Sequence, residues 1–362
     1  MDLKKVRKQI DQIDFEILKL LNRRMEMALT SSKFKDEVAD PAREKEVLAS
    51  VEGFAHGLVR PEFGRELFQR VIGESRRLQK EGLALVGFQG EHGANGEMAA
   101  MMFLPNGAYI PCPEFSDVFD GVAAGYLDYG LVPVENSLGG VVSRVNELMV
   151  DSPFHVVGEV MLPVHHCLLA LKDTDYRDIK VVRSHPQALA QCRGFLKRHK
   201  LEARPFYDTA GAARMLFQNR PEGNAVIAGE LCARLYHLEI IKENIEDHTD
   251  NVTRFQVIAR EPCREAGDKC SIVFSTEHRA GALFDVMKAF ADHELNLTRV
   301  ESVPLGGTPG NYVFFLDFEG SDQDEVVQQA LDEVRPNTTM FRFLGCYNSV
   351  AAAAASGDGA DK

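Results

Sequence analysis

Apolar residues Val6, Ile10, Ile13, Ile17, Leu20, Leu21 and Ala28 recur at three- and four-residue intervals, the spacing of a helix that buries one face. The pattern predicts a helix over about residues 2–37, roughly 50 Å long. An 80-residue unit cannot cover that length alone, so a partner chain is expected to cover the rest. At about 100° per residue, Arg24 and Lys35 fall inside the apolar stripe and Arg7 on its border. Unpaired charge in a stripe built for burial is costly, and an anionic ligand is expected there. Asp40 followed by Pro41 is a helix start signal, and a third helical pattern runs from Pro61 to Lys80.

From Leu83 the pattern changes to short β-rich runs alternating with helical ones. The runs are Leu83 to Phe88, Gly130 to Glu135, His155 to Val160, Lys180 to Ser184, Asn224 to Ala228 and Phe255 to Arg260. This alternation predicts an α/β domain with helices on both sheet faces and a ligand site at strand ends. After Glu261-Pro262-Cys263 come strand (Ser271 to Ser275), helix (Ala282 to His293), strand (Leu297 to Val303) and a turn at Gly306–Gly310. A strand (Tyr312 to Phe318), a helix (Asp324 to Val334) and a strand (Met340 to Tyr347) follow. That is the βαββαβ ferredoxin-like order. Three domains are expected, at 1–80, 83–263 and 268–347. Residues 348–362, Ala-rich and then Gly- and Asp-rich, have little to bury and are expected to be a disordered tail.

Charge sharpens this division. The 362-residue chain carries a formal net charge of −13, which argues against a nucleic-acid partner. Residues 1–80 hold 17 Lys and Arg against 14 Asp and Glu, so the head is +3 and the remainder −16. Only the head suits an anion. No signal-peptide core or membrane-length apolar run is present, and a cytoplasmic protein without membrane contact is expected. The seven cysteines include no Cys-x-x-Cys pair and are expected to be reduced and structural. His165-His166-Cys167 hints at a metal cluster, but neighbours in a strand point to opposite faces, so neither a metal nor a cofactor is expected.

In the head, Arg7, Arg24, Lys35, Asp40, Arg43, Glu44, Ser75 and Gln79 resemble, one for one, the active-site set of the all-helical chorismate mutases. The resemblance implies an intertwined dimer with Arg7 donated across the interface. Chorismate is a dicarboxylate whose rearrangement to prephenate breaks a C–O bond and forms a C–C bond with no proton transfer. The catalyst need only hold a compact conformer and stabilise charge on the ether oxygen. The resemblance implies Arg7, Arg24 and Arg43 as carboxylate clamps, Lys35 and Gln79 as donors to the ether oxygen, and Glu44 as acceptor from the substrate hydroxyl. Asp40 reads equally as an N-cap, and Ser75 and Gln79 as a solvated helix edge.

The middle segment resembles prephenate dehydratase over about residues 83–263. The resemblance rests on Gly87 to Ala94, Val132-Pro133-Val134-Glu135-Asn136-Ser137, Ser184-His185-Pro186-Gln187-Ala188, Asp208-Thr209-Ala210 and Asn251-Val252-Thr253-Arg254-Phe255. It implies a two-lobed, periplasmic-binding-protein-like α/β fold. It also implies Thr253 as the catalytic donor, with Glu135, Asn136, Ser137, Ser184, His185, Gln187, Thr209, Arg254 and Phe255 around the substrate. The glycines at 87, 90, 93 and 96 lack the dinucleotide spacing and read better as a helix N-terminus that receives a carboxylate. Thr209 reads as a second such site or a plain N-cap, and His185 equally as a loop histidine. Where the family usually carries an aromatic residue and then serine, this chain has Asn95-Gly96. Arogenate, the transaminated form of prephenate, is therefore an alternative substrate.

Residues 268–347 resemble an ACT domain of the phenylalanine-responsive type, an α+β regulatory module. Gly281-Ala282-Leu283 and Asn296-Leu297-Thr298-Arg299-Val300-Glu301-Ser302 carry the resemblance, with Val303 where the family pattern has arginine. It implies phenylalanine as effector, contacted by Gly281, Ala282, Leu283, Asn296, Leu297, Glu301 and Ser302. Together the segments predict a multidomain, bifunctional, cofactor-free homodimer or homotetramer of phenylalanine biosynthesis. A non-catalytic sensor of aromatic acids is the rival from another class.

Overall fold

The computed structural model describes residues 3–304 and 312–351; the expected turn at Gly306–Gly310 and residues 352–362 of the expected tail lie outside the described residues. The head consists of α1 (Leu3–Ser32), α2 (Pro41–Phe54) and α3 (Pro61–Glu81). α1 stops before the predicted Glu37 because Thr30, Ser31 and Ser32 turn their hydroxyls onto the carbonyls of Glu26, Ala28 and Leu29. Such side-chain bonds compete with the helix ladder, and the N–H groups of Lys33, Phe34 and Lys35 tighten to i−3 bonds. Lys35 consequently stands in an exposed turn rather than on the helix face, a correction to the sequence pattern.

α1 has two working faces. Its apolar stripe is largely uncovered: Ile17 is 47% exposed and Leu20 66%. On the opposite side, Lys8, Gln12, Phe15, Lys19, Glu26 and Lys33 recur at intervals of three, four and seven and lie along the middle domain. Phe15 packs on Phe217 with centroids 4.4 Å apart, Gln12 donates to Gln218 O, and the Lys19 ammonium lies over the Tyr236 ring. Further along, Glu26 meets His92 at 3.1 Å and Lys33 meets Asp128 at 2.7 Å.

The middle domain has two lobes. The first begins with β1 (Leu85–Gln89), α4 (Asn95–Phe103), β2 (Ala108–Cys112), α5 (Phe115–Ala124), β3 (Tyr129–Asn136), β4 (Gly140–Val141), α6 (Ser143–Asp151) and β5 (His155–Pro163). Residues 164–166 cross to the second lobe, made of β6 (Cys167–Leu171), β7 (Val181–Ser184), α7 (Pro186–Gln191), α8 (Arg193–Arg198), β8 (Glu202–Pro205), α9 (Thr209–Asn219), β9 (Asn224–Ala228), α10 (Glu230–Leu235) and β10 (Leu238–Lys242). Residues 243–251 return the chain to β11 (Val252–Ala259), which inserts antiparallel between β3 and β5. The second sheet runs β10-β6-β9-β7-β8. Sequence periodicity missed β8 because Glu202–Pro205 is an exposed edge strand with no apolar alternation.

The C-terminal domain follows the expected order: β12 (Lys269–Ser275), α11 (Ala282–Asp292), β13 (Leu297–Pro304), β14 (Tyr312–Glu319), α12 (Glu325–Val334) and β15 (Met340–Tyr347). Its sheet runs β13-β14-β12-β15, with Val286 and Phe290 of α11 and Val327 and Leu331 of α12 packed on one face. The other face lies against the first lobe. A Cβ on Gly345 would stand 2.2 Å from Val156 O, so only glycine permits this approach of β15 to β5. β16 (Ser349–Ala351) then pairs in parallel with β5, completing the first-lobe order β16-β5-β11-β3-β1-β2. Residues 349–351 are therefore not tail: their backbone pairs with β5, an interaction that local sequence does not advertise.

Candidate active sites and effector site

The end of β3 pairs with the start of β11 where the lobes join. Thr253 stands opposite Asn136 in register, and Asn136 organises the cluster. Its Oδ1 accepts from the N–H groups of Leu138 at 3.2 Å and Gly139 at 2.6 Å. Its Nδ2 therefore faces the other way and donates to Asn251 Oδ1 at 2.7 Å and Thr253 Oγ1 at 2.9 Å. Ser137 Oγ donates to Asp250 O and accepts from Val252 N. Thr253 Oγ1 thus accepts a hydrogen bond and keeps its own proton to give. Glu135 is exposed on the same strand end.

Two expected substrate contacts are corrected: successive side chains of a strand face opposite ways, which turns Arg254 away from Thr253, and core burial withdraws Phe255. Arg254 points behind the sheet, where its Nε bonds Glu159 and its guanidinium bonds Asp317 of the C-terminal domain at 2.5 Å. Phe255 faces α4 but is buried in the first-lobe core with Val86, Ala99 and Leu131.

The second lobe offers its own loop ends to the cleft. Gln187 is exposed, and its Nε2 comes so near Gly139 that a Cβ there would stand 2.3 Å away. His185 caps α7, with Nδ1 accepting from Gln187 N at 3.3 Å. Ser184 is fully buried and spends its hydroxyl on Ile227 O at 2.6 Å, a structural role that corrects the expected contact. Thr209 opens α9, but the N-cap is Asp208, which accepts from Gly211 N at 2.7 Å; burial raises the Asp208 pKa. The start of α4 is likewise served internally. Buried Glu97 accepts from Gly93 N at 2.6 Å, so the carboxylate expected from a ligand is the helix's own. Sequence reasoning missed Glu91, which joins Tyr207 and Arg214 at 3.1 and 2.8 Å.

In the head, Arg24 Nη1 donates to Ser75 Oγ at 2.5 Å, and Gln79 Nε2 to Ala28 O at 2.5 Å, which gathers three expected residues along the α1–α3 groove. Burial lowers the Arg24 pKa. Asp40 caps α2 by accepting from Arg43 N, and lines one surface depression with Lys35. Arg43 is exposed and bonded to Glu46, whereas Glu44 faces Arg76. Arg7 is exposed on α1.

The expected effector residues divide. Gly281 opens α11 at φ +86°, a conformation that side chains disfavour, and Ala282 and Leu283 pack inward. Asn296 and Leu297 follow the far end of α11, about 16 Å away along its axis, so one chain does not join them with Gly281. Glu301 is engaged by Asn146 Nδ2 at 2.6 Å and by Arg299, while Ser302 is exposed.

His165 bonds Glu246 and His166 bonds Gln191, so these neighbours diverge. Among the described residues, no cluster of three His, Cys, Asp or Glu side chains is disposed to hold a metal, and no helix is long and apolar enough to cross a membrane.

Family models match the three segments separately: chorismate mutase type II at residues 6–80, prephenate dehydratase at 86–263 and the ACT domain at 271–336. Over 358 residues the chain is 34% identical to the bifunctional chorismate mutase/prephenate dehydratase of Aquifex aeolicus, covering 96% of this chain and 98% of that one. The chain belongs to the bifunctional chorismate mutase/prephenate dehydratase family. It is also 41% identical over 274 residues to arogenate dehydratase/prephenate dehydratase 2 of Arabidopsis thaliana, covering 72% of each. Among solved structures, the prephenate dehydratase of Arthrobacter aurescens in complex with L-Phe shares 30% identity at a TM-score of 0.67, covering 73% of this chain and 90% of that one. The family's three parts are thus present in order: a helical mutase head, a two-lobed dehydratase domain and an ACT domain.

Proposed function

We propose that the head rearranges chorismate to prephenate, that the middle domain converts prephenate to phenylpyruvate, and that phenylalanine binds the ACT domain to restrain the second step. In the head, Arg7, Arg24 and Arg43 hold the two carboxylates, Lys35 and Gln79 donate to the ether oxygen, and Glu44 accepts from the hydroxyl. Gln79 and Arg24 exchange their contacts with Ala28 O and Ser75 for substrate, while Asp40 and Ser75 support them. Arg7 is too exposed to act alone, and a second copy laid on the uncovered α1 stripe completes the site. The enzyme accordingly works as a homodimer or homotetramer, in the cytoplasm.

In the middle domain the ring carboxylate leaves as carbon dioxide. Its C–C bonding pair enters the ring, the C–O bond breaks, and the oxygen departs as water with the proton of Thr253. Aromatisation supplies the driving force, so a neutral hydroxyl suffices as the acid. Glu135, Ser137, His185, Gln187 and Thr209 line the substrate's path between the lobes. The observation that carries this assignment is the bond from Asn136 Nδ2 to Thr253 Oγ1, which leaves the threonine proton as the one to give.

Chorismate supplied alone to the purified protein, with chorismate loss and phenylpyruvate appearance followed together, tests both activities at once. Prephenate that accumulates without phenylpyruvate would remove the second assignment and keep the first. A second substrate, arogenate, is favoured by Asn95-Gly96 at the start of α4 and by the double name of the Arabidopsis relative. Comparing turnover of prephenate and arogenate decides between them.

A further inference from the structure

Asn251 is 1% exposed and was no part of the expected site. Its Oδ1 is committed to Asn136 Nδ2, and the orientation of both amides is fixed. Exchanging O and N in Asn136 would face two donors, Leu138 N and Gly139 N, with an NH2 group. Exchanging them in Asn251 would set NH2 against NH2. Asn251 Nδ2 is thereby a buried donor without an acceptor among the described residues. A buried amide hydrogen left unpaired is costly, and native structures keep such groups few.

Position says what the amide serves. Asn251 and Thr253, two residues apart, share the Nδ2 of Asn136 and so lie on the cleft side of the chain, opposite Arg254. The carbonyl of Asn251 is held by Val164 N at 2.8 Å, which anchors it where the two crossings between the lobes run together. The amide is rigid, water-poor and beside the hydroxyl that gives up its proton. We propose that Asn251 Nδ2 is a second donor to the departing hydroxyl oxygen of the substrate, bonding it as negative charge builds there. Asn251 makes a hydrogen bond and transfers nothing. Thr253 alone supplies the proton, so this role rests on the function proposed above. Preorganised donors of this kind act chiefly on the transition state.

Asn251→Asp tests the role in the full-length protein. The carboxylate keeps an oxygen for Asn136 but replaces the donor with negative charge. Dehydratase kcat should fall about 100-fold at neutral pH, the order expected for one such donor, with the mutase rate unchanged. As the pH is lowered and the carboxyl protonates, it regains an O–H donor, and the ratio of variant to parent dehydratase rate should climb. An undiminished rate at neutral pH, or a loss whose ratio to parent stays flat on acidification, overturns the role, because a merely structural amide gains nothing from that proton. If Asn251→Asp loses the mutase rate too, marking a failed fold, Asn251→Gln takes its place. One methylene displaces the donor, and a full dehydratase rate there overturns the proposal. Thr253→Val run alongside separates the two assignments. Full activity of that variant removes the acid role, whereas its loss combined with a full rate in Asn251→Asp removes only the role of Asn251.

Discussion

Thr253 and Arg254 are adjacent in sequence, yet their side chains leave β11 on opposite faces: Thr253 joins Asn136 in the cleft, and Arg254 bonds Glu159 and Asp317 behind the sheet. One strand therefore carries the proposed acid and the anchor of the ACT domain. The anchor extends sideways, with Lys269 bonded to Glu159 at 2.8 Å and Arg299 donating to Asn146 Oδ1 of α6 at 2.8 Å. Arg342 bonds the carbonyls of Met149 and Ser152 at the end of α6, where a cation is favoured by the helix dipole.

Replacing Thr253 with valine keeps the branched shape and removes the hydroxyl. Phenylpyruvate formation from prephenate is expected to drop at least ~100-fold, the usual worth of a positioned acid, while chorismate consumption is unchanged. Feeding chorismate then makes prephenate accumulate. Phenylpyruvate appearing at the parental rate would deny Thr253 its role.

Asp317 is the ACT domain's hold on Arg254. Burial opposes the Arg254 charge, but Asp317 and Glu159 outweigh that cost and raise its pKa. Removing one partner of a buried ion pair costs ~3–5 kcal/mol when nothing else compensates. Glu159 still faces Arg254, so Asp317→Asn is expected at or below the low end of that range. Thermal unfolding should show a lower Tm, and phenylalanine should inhibit less at a given concentration. Parental Tm together with parental inhibition would mean that the pair couples nothing.

Lys35 stands in a turn, where its side chain is free to swing onto a ligand. Lys35→Ala is expected to lower mutase turnover at least ~100-fold, by the precedent of losing one donor to a developing oxyanion. Dehydration of added prephenate should be untouched. A mutase rate within error of the parent would return the ether-oxygen contact to Gln79 alone.

Much of this architecture is legible in the residues because the physical signals are local. The three- and four-residue stripe of α1, the strand-helix alternation and the βαββαβ order all follow from side-chain periodicity. The second face of α1 was not legible: Lys8, Gln12, Phe15, Lys19, Glu26 and Lys33 mix cation, amide, ring and anion, and only the partner surface makes them a set. Arg254 was misplaced by weighing the Thr-Arg-Phe motif above the period of two, although that period puts Arg254 and Thr253 on different faces. The end of α1 was overrun because the hydroxyls of Thr30, Ser31 and Ser32 are a quieter stop signal than glycine or proline. Ser184 sits in a motif, but its hydroxyl is needed by a carbonyl 43 residues away, a long-range demand that no local pattern announces.

His92 ties the head to the dehydratase loop, with Nε2 on Glu26 and Nδ1 on Glu97. Burial disfavours the charged ring, but the hydrogen bonds it donates to two carboxylates, and their charge, prevail and raise its pKa from 6.5 to about 9. A group whose pKa is raised on folding binds its proton more tightly in the native state, so its stabilisation is fully present below pH 6.5 and is lost as the pH rises through about 9. His92→Gln removes that contribution. The Tm difference between parent and variant should be greatest below pH 6.5, shrink across the interval and level off above about 9. Because Glu26 belongs to α1 and Glu97 to α4, the parent's loss at high pH should also loosen the head, seen as faster hydrogen exchange in α1 while the second lobe stays protected. A Tm difference independent of pH would show that His92 acts there by packing on Phe88 rather than by its charge.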